Sequence, residues 1–119
     1  MGLPAGLAQS VHAPVENPNM ASFQELLQSE QPVLVDFYAD WCGPCKLMAP
    51  ILQETKARLG DRVRIVKVDI DRNRPAAEYF GIQSVPTLML FRKGAVQWRQ
   101  SGVVEAAALQ RIIEQYSAD

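Results

Sequence analysis

The sequence predicts an α/β fold in which a central mixed sheet of four or five strands carries helices on both faces. Apolar runs alternate with helical patterns along the first part of the chain, which is typical of parallel strands joined by crossover helices. A hairpin pattern follows and adds antiparallel strands. Hydrophobic residues make up 48% of the 119 residues, which is enough to form the core of one domain.

The chain is predicted to begin with an irregular arm, residues 1–19, that precedes a domain covering residues 20–119. The arm is rich in proline and shows no clean alternation of apolar and polar residues. A degenerate first strand within this arm is the alternative. Ser22 and Glu25 then form a capping-box pattern, which predicts a helix that runs to about Ser29.

Two strands and one long helix are predicted next. Residues 33–38 form a continuous apolar run with one acid inside it, a pattern typical of a buried strand. Residues 43–59 place apolar side chains at helical spacing, and Gly60 ends the helix. A second strand follows at residues 63–68.

The second half of the chain predicts two helices around a hairpin. A short helix covers residues 75–80. Residues 87–91 and 95–100 are strands joined by the turn Lys93-Gly94, which predicts an antiparallel pair. Residues 104–116 form the last helix.

Charge and composition argue against several classes of function. The net charge is −1, and no basic stretch resembles a nucleic-acid-binding surface. No apolar run approaches the roughly 20 residues that a membrane-spanning helix needs. The first ten residues lack the basic and apolar segments of a signal peptide, so we expect a cytoplasmic protein. An extracytoplasmic reductase is the alternative.

Cys42 and Cys45 are the only cysteines, and they lie at the predicted start of the long helix. A helix start favours a thiolate, because its free N–H groups and dipole attract negative charge. A disulfide between these residues closes a very small loop and stabilises the fold little, so redox chemistry explains the pair better. Half of a zinc site is the alternative. Zinc usually takes four ligands, and His12 is the only further soft ligand, so we expect no metal.

Asp36 is the acid inside the first apolar strand. A buried carboxylate without a partner holds its proton more tightly than an exposed one, so Asp36 is predicted to accept a proton from the Cys45 thiol. A strand-end acid that reaches solvent is the alternative. Trp41 lies beside a cysteine in a loop and is expected to present an exposed apolar surface.

The segment from Val33 to Lys46, with Trp41-Cys42-Gly43-Pro44-Cys45 at its centre, resembles the active-site strand and loop of the thioredoxin family. Further segments resemble the family in the same order, over about residues 22–116: Lys67-Val68-Asp69-Ile70-Asp71, Val85-Pro86-Thr87, Lys93-Gly94 and Ser101-Gly102. The resemblance implies the thioredoxin fold and a protein-disulfide reductase that serves as an electron carrier.

The position of the cysteines and the resemblance together predict separate roles for the two thiols. Cys42, nearer to the free N–H groups and to solvent, is the expected nucleophile, and Cys45, expected to be buried, resolves the mixed disulfide. The resemblance also implies that Lys67 lies near Asp36 and modulates it, with an exposed surface lysine as the alternative. It implies a cis bond before Pro86, facing the cysteines. The residues implied to line the substrate groove are Trp41, Gly43, Pro44, Ile70, Val85, Pro86, Gly102 and Val103.

The resemblance implies disulfide-containing protein substrates and a separate thioredoxin reductase, with no bound cofactor. The Gly43-Pro44 pair is typical of reducing members, whereas oxidising relatives usually carry a histidine there. A monomer is expected, with a dimer through the N-terminal sheet edge as the alternative. A scaffold that binds partners without turnover is the rival function. Tyr38 departs from the pattern, because many members carry tryptophan at that position.

Overall fold

The computed structural model describes residues 14–15 and 20–117. The strands are β1 (Pro14–Val15), β2 (Val33–Tyr38), β3 (Arg64–Asp69), β4 (Thr87–Arg92) and β5 (Ala95–Ser101). The helices are α1 (Met20–Leu27), α2 (Gly43–Leu59), α3 (Arg74–Tyr79) and α4 (Ala106–Gln115), and a 3₁₀ turn covers Gly60–Arg62.

The five strands form one mixed sheet in the order β1-β3-β2-β4-β5. Strand β3 runs parallel to β1 and β2, whereas β4 runs antiparallel to β2 and β5. Strand β2 lies at the centre and is buried along almost its whole length, because both of its edges are paired and both of its faces are covered. The predicted fold class is confirmed.

Helices cover both faces of the sheet. One core lies beneath α2 and α4 and includes Leu34, Met48, Leu52, Leu88 and Leu109. The second core lies beneath α1 and α3 and includes Phe23, Leu27, Val35, Phe37 and Phe91. Side chains alternate between the two faces along a strand, so Leu34, Asp36 and Tyr38 share the α2 face of β2. This alternation places the one acid of β2 on the same side as the cysteines.

Most predicted boundaries agree with the observed elements to within one or two residues. Helix α2 has the predicted bounds and ends at Gly60, whose φ is 58°. The prediction that Ser22 caps the first helix is wrong, because α1 begins at Met20 and places Ser22 inside the helix. The sequence has Asn19 directly before Met20, a residue type that caps helices as well as serine does.

Strand β1 lies within the predicted N-terminal arm and has only two residues. It pairs Pro14 with Lys67 and Val15 with Val68 at the β3 edge of the sheet. The other predicted arm residues, including His12, lie outside the described part of the chain, so their predictions stay untested. Within residues 14–15 and 20–117, no helix is long and apolar enough to cross a membrane.

Candidate active site

The start of α2 holds the cysteine pair, which is joined by a disulfide. Cys42 is the N-cap residue of α2, and its Sγ accepts a hydrogen bond of 3.1 Å from the backbone N–H of Cys45. Pro44 lies in the first turn, where its missing N–H costs no hydrogen bond. The Cys42 sulfur therefore acts as the acceptor that a helix start requires.

The expected difference in exposure between the two cysteines is not observed. Cys45 is buried as predicted, but Cys42 is equally buried, and each has 4% of its surface exposed. Ala39, Ile70 and Val85 pack around the pair and cover Cys42 as well. The prediction that Cys42 is the more exposed residue is therefore wrong for the disulfide form. What separates the two sulfurs is the N-cap position of Cys42.

The loop before β4 lies against the cysteines. The Val85–Pro86 bond is cis, as the resemblance implied. The carbonyl oxygen of Val85 lies 3.6 Å from the Cys42 Sγ atom, so the residue before the proline faces the disulfide. The Gly102 N–H donates a hydrogen bond of 2.8 Å to the Pro86 carbonyl, with Gly102 at a φ of 97°. Val85, Pro86 and Gly102 are thus brought together beside Cys42.

The remaining predicted groove residues differ in exposure. Trp41 is 69% exposed, as predicted for an apolar contact surface. Gly43 and Pro44 are also exposed. Val103 is 36% exposed and follows Gly102, while Ile70 is partly buried against the cysteine cluster.

Asp71 lies at the site, although the sequence reasoning assigned it no role. Its Oδ2 accepts a hydrogen bond of 2.9 Å from the Trp41 indole nitrogen. The Asp69 carboxylate fixes the loop that carries Asp71 by accepting the Asp71 N–H at 2.8 Å. The one signal in the sequence is that Asp71 lies in a segment that resembles the family, because nothing local connects residues 30 positions apart.

Asp36 is fully buried, with 0% of its surface exposed. Neither of its carboxylate oxygens has a hydrogen-bond partner among the described residues. Burial raises the pKa of Asp36 to about 7, and the positive charge of Lys67 opposes this rise. The expectation that this acid is buried is confirmed, and a strand-end acid in solvent is excluded. The direction of the pKa shift agrees with the expectation that Asp36 holds its proton tightly.

Lys67 lies opposite Asp36 in the parallel register of β2 and β3. It is half-buried, and its Nζ lies 4.5 Å from the centroid of the Tyr38 ring. Lys67 is therefore neither a fully exposed lysine nor an ion-pair partner of Asp36. A pocket of about 210 Å³ is lined by Tyr38, Ala39, Asp40, Cys45, Lys46, Ala49 and Lys67. Cys45 and Lys67 thus face one common space.

A metal-binding cluster is absent from the described part of the chain. Across residues 14–15 and 20–117, no group of three or more His, Cys, Asp or Glu side chains is arranged to hold a metal ion. The chemistry that the described residues support is that of a cysteine pair beside a buried carboxyl group.

Comparison with known proteins identifies the family. The Thioredoxin family model matches residues 14–115. The chain is 42% identical to the thioredoxin of Bacillus subtilis over 88 residues, which covers 74% of this chain and 85% of the relative. It is 40% identical to the chloroplastic thioredoxin Y of Oryza sativa over 112 residues, which covers 93% of this chain and 67% of the relative.

Solved thioredoxin structures share the fold of this chain. A single-site mutant of the thioredoxin from Halobacterium salinarum superposes with a TM-score of 0.78 at 30% identity, covering 91% of this chain and 92% of that chain. The thioredoxin of Malassezia sympodialis superposes with a TM-score of 0.78 at 32% identity, covering 92% of each chain. The chain therefore belongs to the thioredoxin family and is a thiol–disulfide oxidoreductase whose redox pair is Cys42 and Cys45.

Proposed function

We propose that this oxidoreductase reduces protein disulfides, with Cys42 as nucleophile and Cys45 as resolving thiol. The observation that carries this assignment is the hydrogen bond from the Cys45 N–H to the Cys42 sulfur at the N-cap of α2. A backbone N–H and the helix dipole stabilise a thiolate at Cys42 more than at Cys45, which lies inside the helix. This stabilisation of the thiolate makes Cys42 the attacking group.

Reduction of the target disulfide takes two thiol–disulfide exchanges. The Cys42 thiolate attacks one sulfur of the target disulfide and forms a mixed disulfide, and the other target sulfur leaves as a thiolate that takes up a proton. Cys45 then loses its proton and attacks the Cys42 sulfur. The second target sulfur leaves and is protonated. Two electrons and two protons pass to the target, and the Cys42–Cys45 disulfide remains.

Asp36 is the proposed proton acceptor for Cys45. Its buried carboxyl group has a pKa of about 7, which is close to the pH at which it must take up and return a proton. Lys67, which lies opposite Asp36, faces the same pocket as Cys45. Side chains alternate along β2, so Asp36 lies on the face of the sheet that helix α2 covers, the helix that carries Cys45, and this placement supports proton transfer between the thiol and the carboxyl group.

The proposed substrate is an extended segment of a protein that carries a disulfide. The Val85 carbonyl beside the Cys42 sulfur gives such a segment a backbone acceptor, in the manner of an added strand. The exposed ring of Trp41 supplies apolar contact at the rim of the site. The other groove residues in this proposal are Gly43, Pro44, Ile70, Pro86, Gly102 and Val103.

Two cysteine variants test the assignment. Parent protein supplied with dithiothreitol should reduce insulin, and Cys42→Ser should abolish this activity. Cys45→Ser should instead accumulate a mixed disulfide that gel electrophoresis detects without reducing agent. Insulin reduction that survives in Cys42→Ser would contradict the assignment of the nucleophile. Partner binding without turnover by the parent protein would favour the scaffold role.

The direction of electron flow is a proposal of its own. Gly43 and Pro44 provide no side chain that stabilises the Cys42 thiolate beyond the helix start, so the disulfide should be hard to reduce. We propose that a separate thioredoxin reductase regenerates the dithiol and that the chain acts as a monomer. Equilibration of the Cys42–Cys45 pair against glutathione tests the direction, and a strongly oxidising pair would reverse it.

The cytoplasm is the proposed compartment. A reductase needs surroundings that keep its cysteine pair available as a dithiol, and the cytoplasm supplies them. The name of the Oryza sativa relative places that protein in the chloroplast. Fractionation of cells that express the full native gene, followed by detection of the protein in each fraction, tests the assignment. Recovery outside the cytoplasm would refute it.

A further inference from the structure

The β2–β3 register offers the Lys67 ammonium two partners on one face of the sheet. Asp36 lies directly opposite Lys67, and Tyr38 lies two residues further along β2. Opposite charge alone would favour the Asp36 carboxylate. The Lys67 Nζ instead lies 4.5 Å from the centroid of the Tyr38 ring. In the described part of the chain, both Asp36 oxygens are left without a hydrogen-bond partner.

We propose that Tyr38 is a positioning residue whose ring holds the Lys67 ammonium and thereby keeps it from pairing with the Asp36 carboxylate. This inference rests on the proposed role of Asp36 as proton acceptor. A carboxylate with a direct cationic partner holds its proton less tightly and is a weaker base. Tyr38 therefore preserves the basicity that Asp36 needs in order to deprotonate Cys45.

A modest contact can decide the position of Lys67 because the two sites differ in solvation. Both Tyr38 and Lys67 line the pocket beside Cys45, so an ammonium group on the ring keeps access to this space. Asp36 does not line the pocket and is fully buried. Pairing with Asp36 would take the ammonium group out of water, which costs much of the Coulombic gain. The solvated position on the Tyr38 ring therefore already offsets much of the attraction to Asp36, and the cation–π contact stabilises that position further.

Among the groups around Asp36 described below, Lys67 is the cation that affects the pKa of Asp36. On the other side of β2, strand β4 places the apolar Leu88 opposite Asp36. Helix α2 contributes Lys46 to the pocket, but the Lys46 ammonium donates to the Asp40 carbonyl at 2.9 Å. Lys67 is the charged group that acts on the pKa of Asp36.

The Tyr38 ring itself stays neutral while Asp36 titrates. Burial raises the pKa of the Tyr38 phenol, and the carboxylates of Asp69, Asp40 and Asp36 raise it further, against the opposing charge of Arg72. The ring face that Lys67 contacts therefore does not change its charge over the pH range in which the protein works. A change in the pKa of Asp36 on removal of the ring then comes from the position of Lys67 or from the solvation of Asp36, and not from a charge on the phenol.

The test is to titrate the Asp36 carboxyl group in ring-free variants of the full chain. Carbon-13 NMR of aspartate-labelled protein follows the carboxyl group directly. In Tyr38→Leu, the freed Lys67 should lower the pKa of Asp36 by about one pH unit or more, because a cation within hydrogen-bond reach has this effect. Tyr38→Phe keeps the ring and should titrate like the parent. Tyr38→Ile suits a strand and replaces Tyr38→Leu if the leucine variant does not fold.

A double variant separates the position of Lys67 from a simple change in solvation. In a Lys67→Met background, Tyr38→Leu should no longer lower the pKa of Asp36. An equal fall with and without Lys67 would show that the ring acts through solvation, and the proposal would be wrong. A pKa that stays unchanged or rises when Tyr38→Leu is made in the presence of Lys67 would also overturn it.

The kinetics distinguish this inference from the proposed function on which it rests. The pH midpoint of the resolving step should fall in Tyr38→Leu by the same amount as the NMR titration. The NMR titration could shift in Tyr38→Leu while the rate of the resolving step is unchanged in both Tyr38→Leu and Asp36→Asn. Asp36 would then not be the proton acceptor, but Tyr38 would still position Lys67. If Asp36→Asn slows the step but Tyr38→Leu does not move the titration, only the role of Tyr38 fails.

Discussion

The Trp41 indole nitrogen and the Asp71 carboxylate are joined by a hydrogen bond of 2.9 Å across two loops. Because β2 and β3 are parallel, their carboxyl ends meet at one edge of the sheet, and the loops that follow them lie side by side. The Trp41 ring is mostly exposed, so this bond fixes the orientation of an apolar surface next to Cys42. The shape of the groove rim thus depends on the loop after β3.

Removal of the Asp71 carboxylate should weaken binding of protein substrates. In Asp71→Ala, the Trp41 ring loses its acceptor, and the KM for insulin should rise up to about fivefold, the effect of one net hydrogen bond of about 1 kcal/mol. A small aromatic disulfide, too short to reach along the groove, should show a smaller rise. Asp71→Asn keeps an oxygen acceptor and is the matched control. Equal effects on both substrates would contradict a role at the rim.

Asp36 should make the stability of the oxidised protein fall as pH rises. Its pKa is about 7 in the folded state, whereas that of an unfolded Asp is about 3.9. Between these values the folded state binds more protons, so the free energy of unfolding decreases with pH. Above pH 7, Asp36→Asn should be more stable than the parent by up to about 4 kcal/mol.

Urea unfolding at pH 4 and pH 8 measures this stability difference. Near pH 4 the two proteins should be almost equally stable, because Asp36 is protonated in the folded parent and resembles the amide. A stability difference of the same size at both pH values would show that packing, rather than ionisation, separates the two proteins.

Asp36→Asn should slow the second thiol exchange more than the first. Without a base, Cys45 must lose its proton to water in the pocket, and the resolving step should slow at least about tenfold at neutral pH. Stopped-flow fluorescence of Trp41 follows both exchanges in single turnovers. Equal slowing of mixed-disulfide formation and resolution would indicate that Asp36 acts on the general environment of Cys42 instead.

Gly94 should be required in the hairpin between β4 and β5. Lys93 and Gly94 have φ values of 55° and 83°, which a two-residue turn of this kind demands at both positions. A Cβ at Gly94 would lie 2.5 Å from the Gln28 amide, an exposed and movable group, so the cost of Gly94→Ala is mainly backbone strain. We expect a loss of about 1 kcal/mol in unfolding free energy.

Gly43→Ala is the control for the hairpin variant. A Cβ at Gly43 meets nothing within 4 Å, and alanine favours the helix that begins there. Urea midpoints should therefore fall for Gly94→Ala and stay the same or rise for Gly43→Ala. A similar loss in both variants would point to a general cost of the added methyl group.

Features set by local patterns were predictable from the sequence. The bounds of α2 follow from its apolar spacing and from Gly60, and the burial of Asp36 follows from the apolar run around it. The N-cap position of Cys42 follows from Pro44 in the first turn. The predicted start of α1 is wrong because Asn19, three positions before Ser22, is also a residue type that caps helices.

Features set by contacts between distant segments were not predictable. The burial of Cys42 depends on Val85, which lies 43 positions away, and the orientation of Trp41 depends on Asp71. Lys67 could be placed opposite Asp36 by resemblance. The contact of the Lys67 ammonium with the Tyr38 ring depends on the register of two strands and on the pocket beside Cys45. Neither feature follows from a local sequence pattern.

The hydrogen bond from the Cys45 amide to the Cys42 sulfur makes one backbone proton a reporter of the redox cycle. A thiolate is a stronger acceptor than a sulfur already bonded to a second sulfur, so the amide is held most firmly in the reduced enzyme and less firmly in either disulfide. Deuterium uptake at this single amide should therefore differ between stages of the cycle. The exchange rate of one proton in the first turn of α2 thus indicates how far each molecule has progressed through the transfer of its electrons.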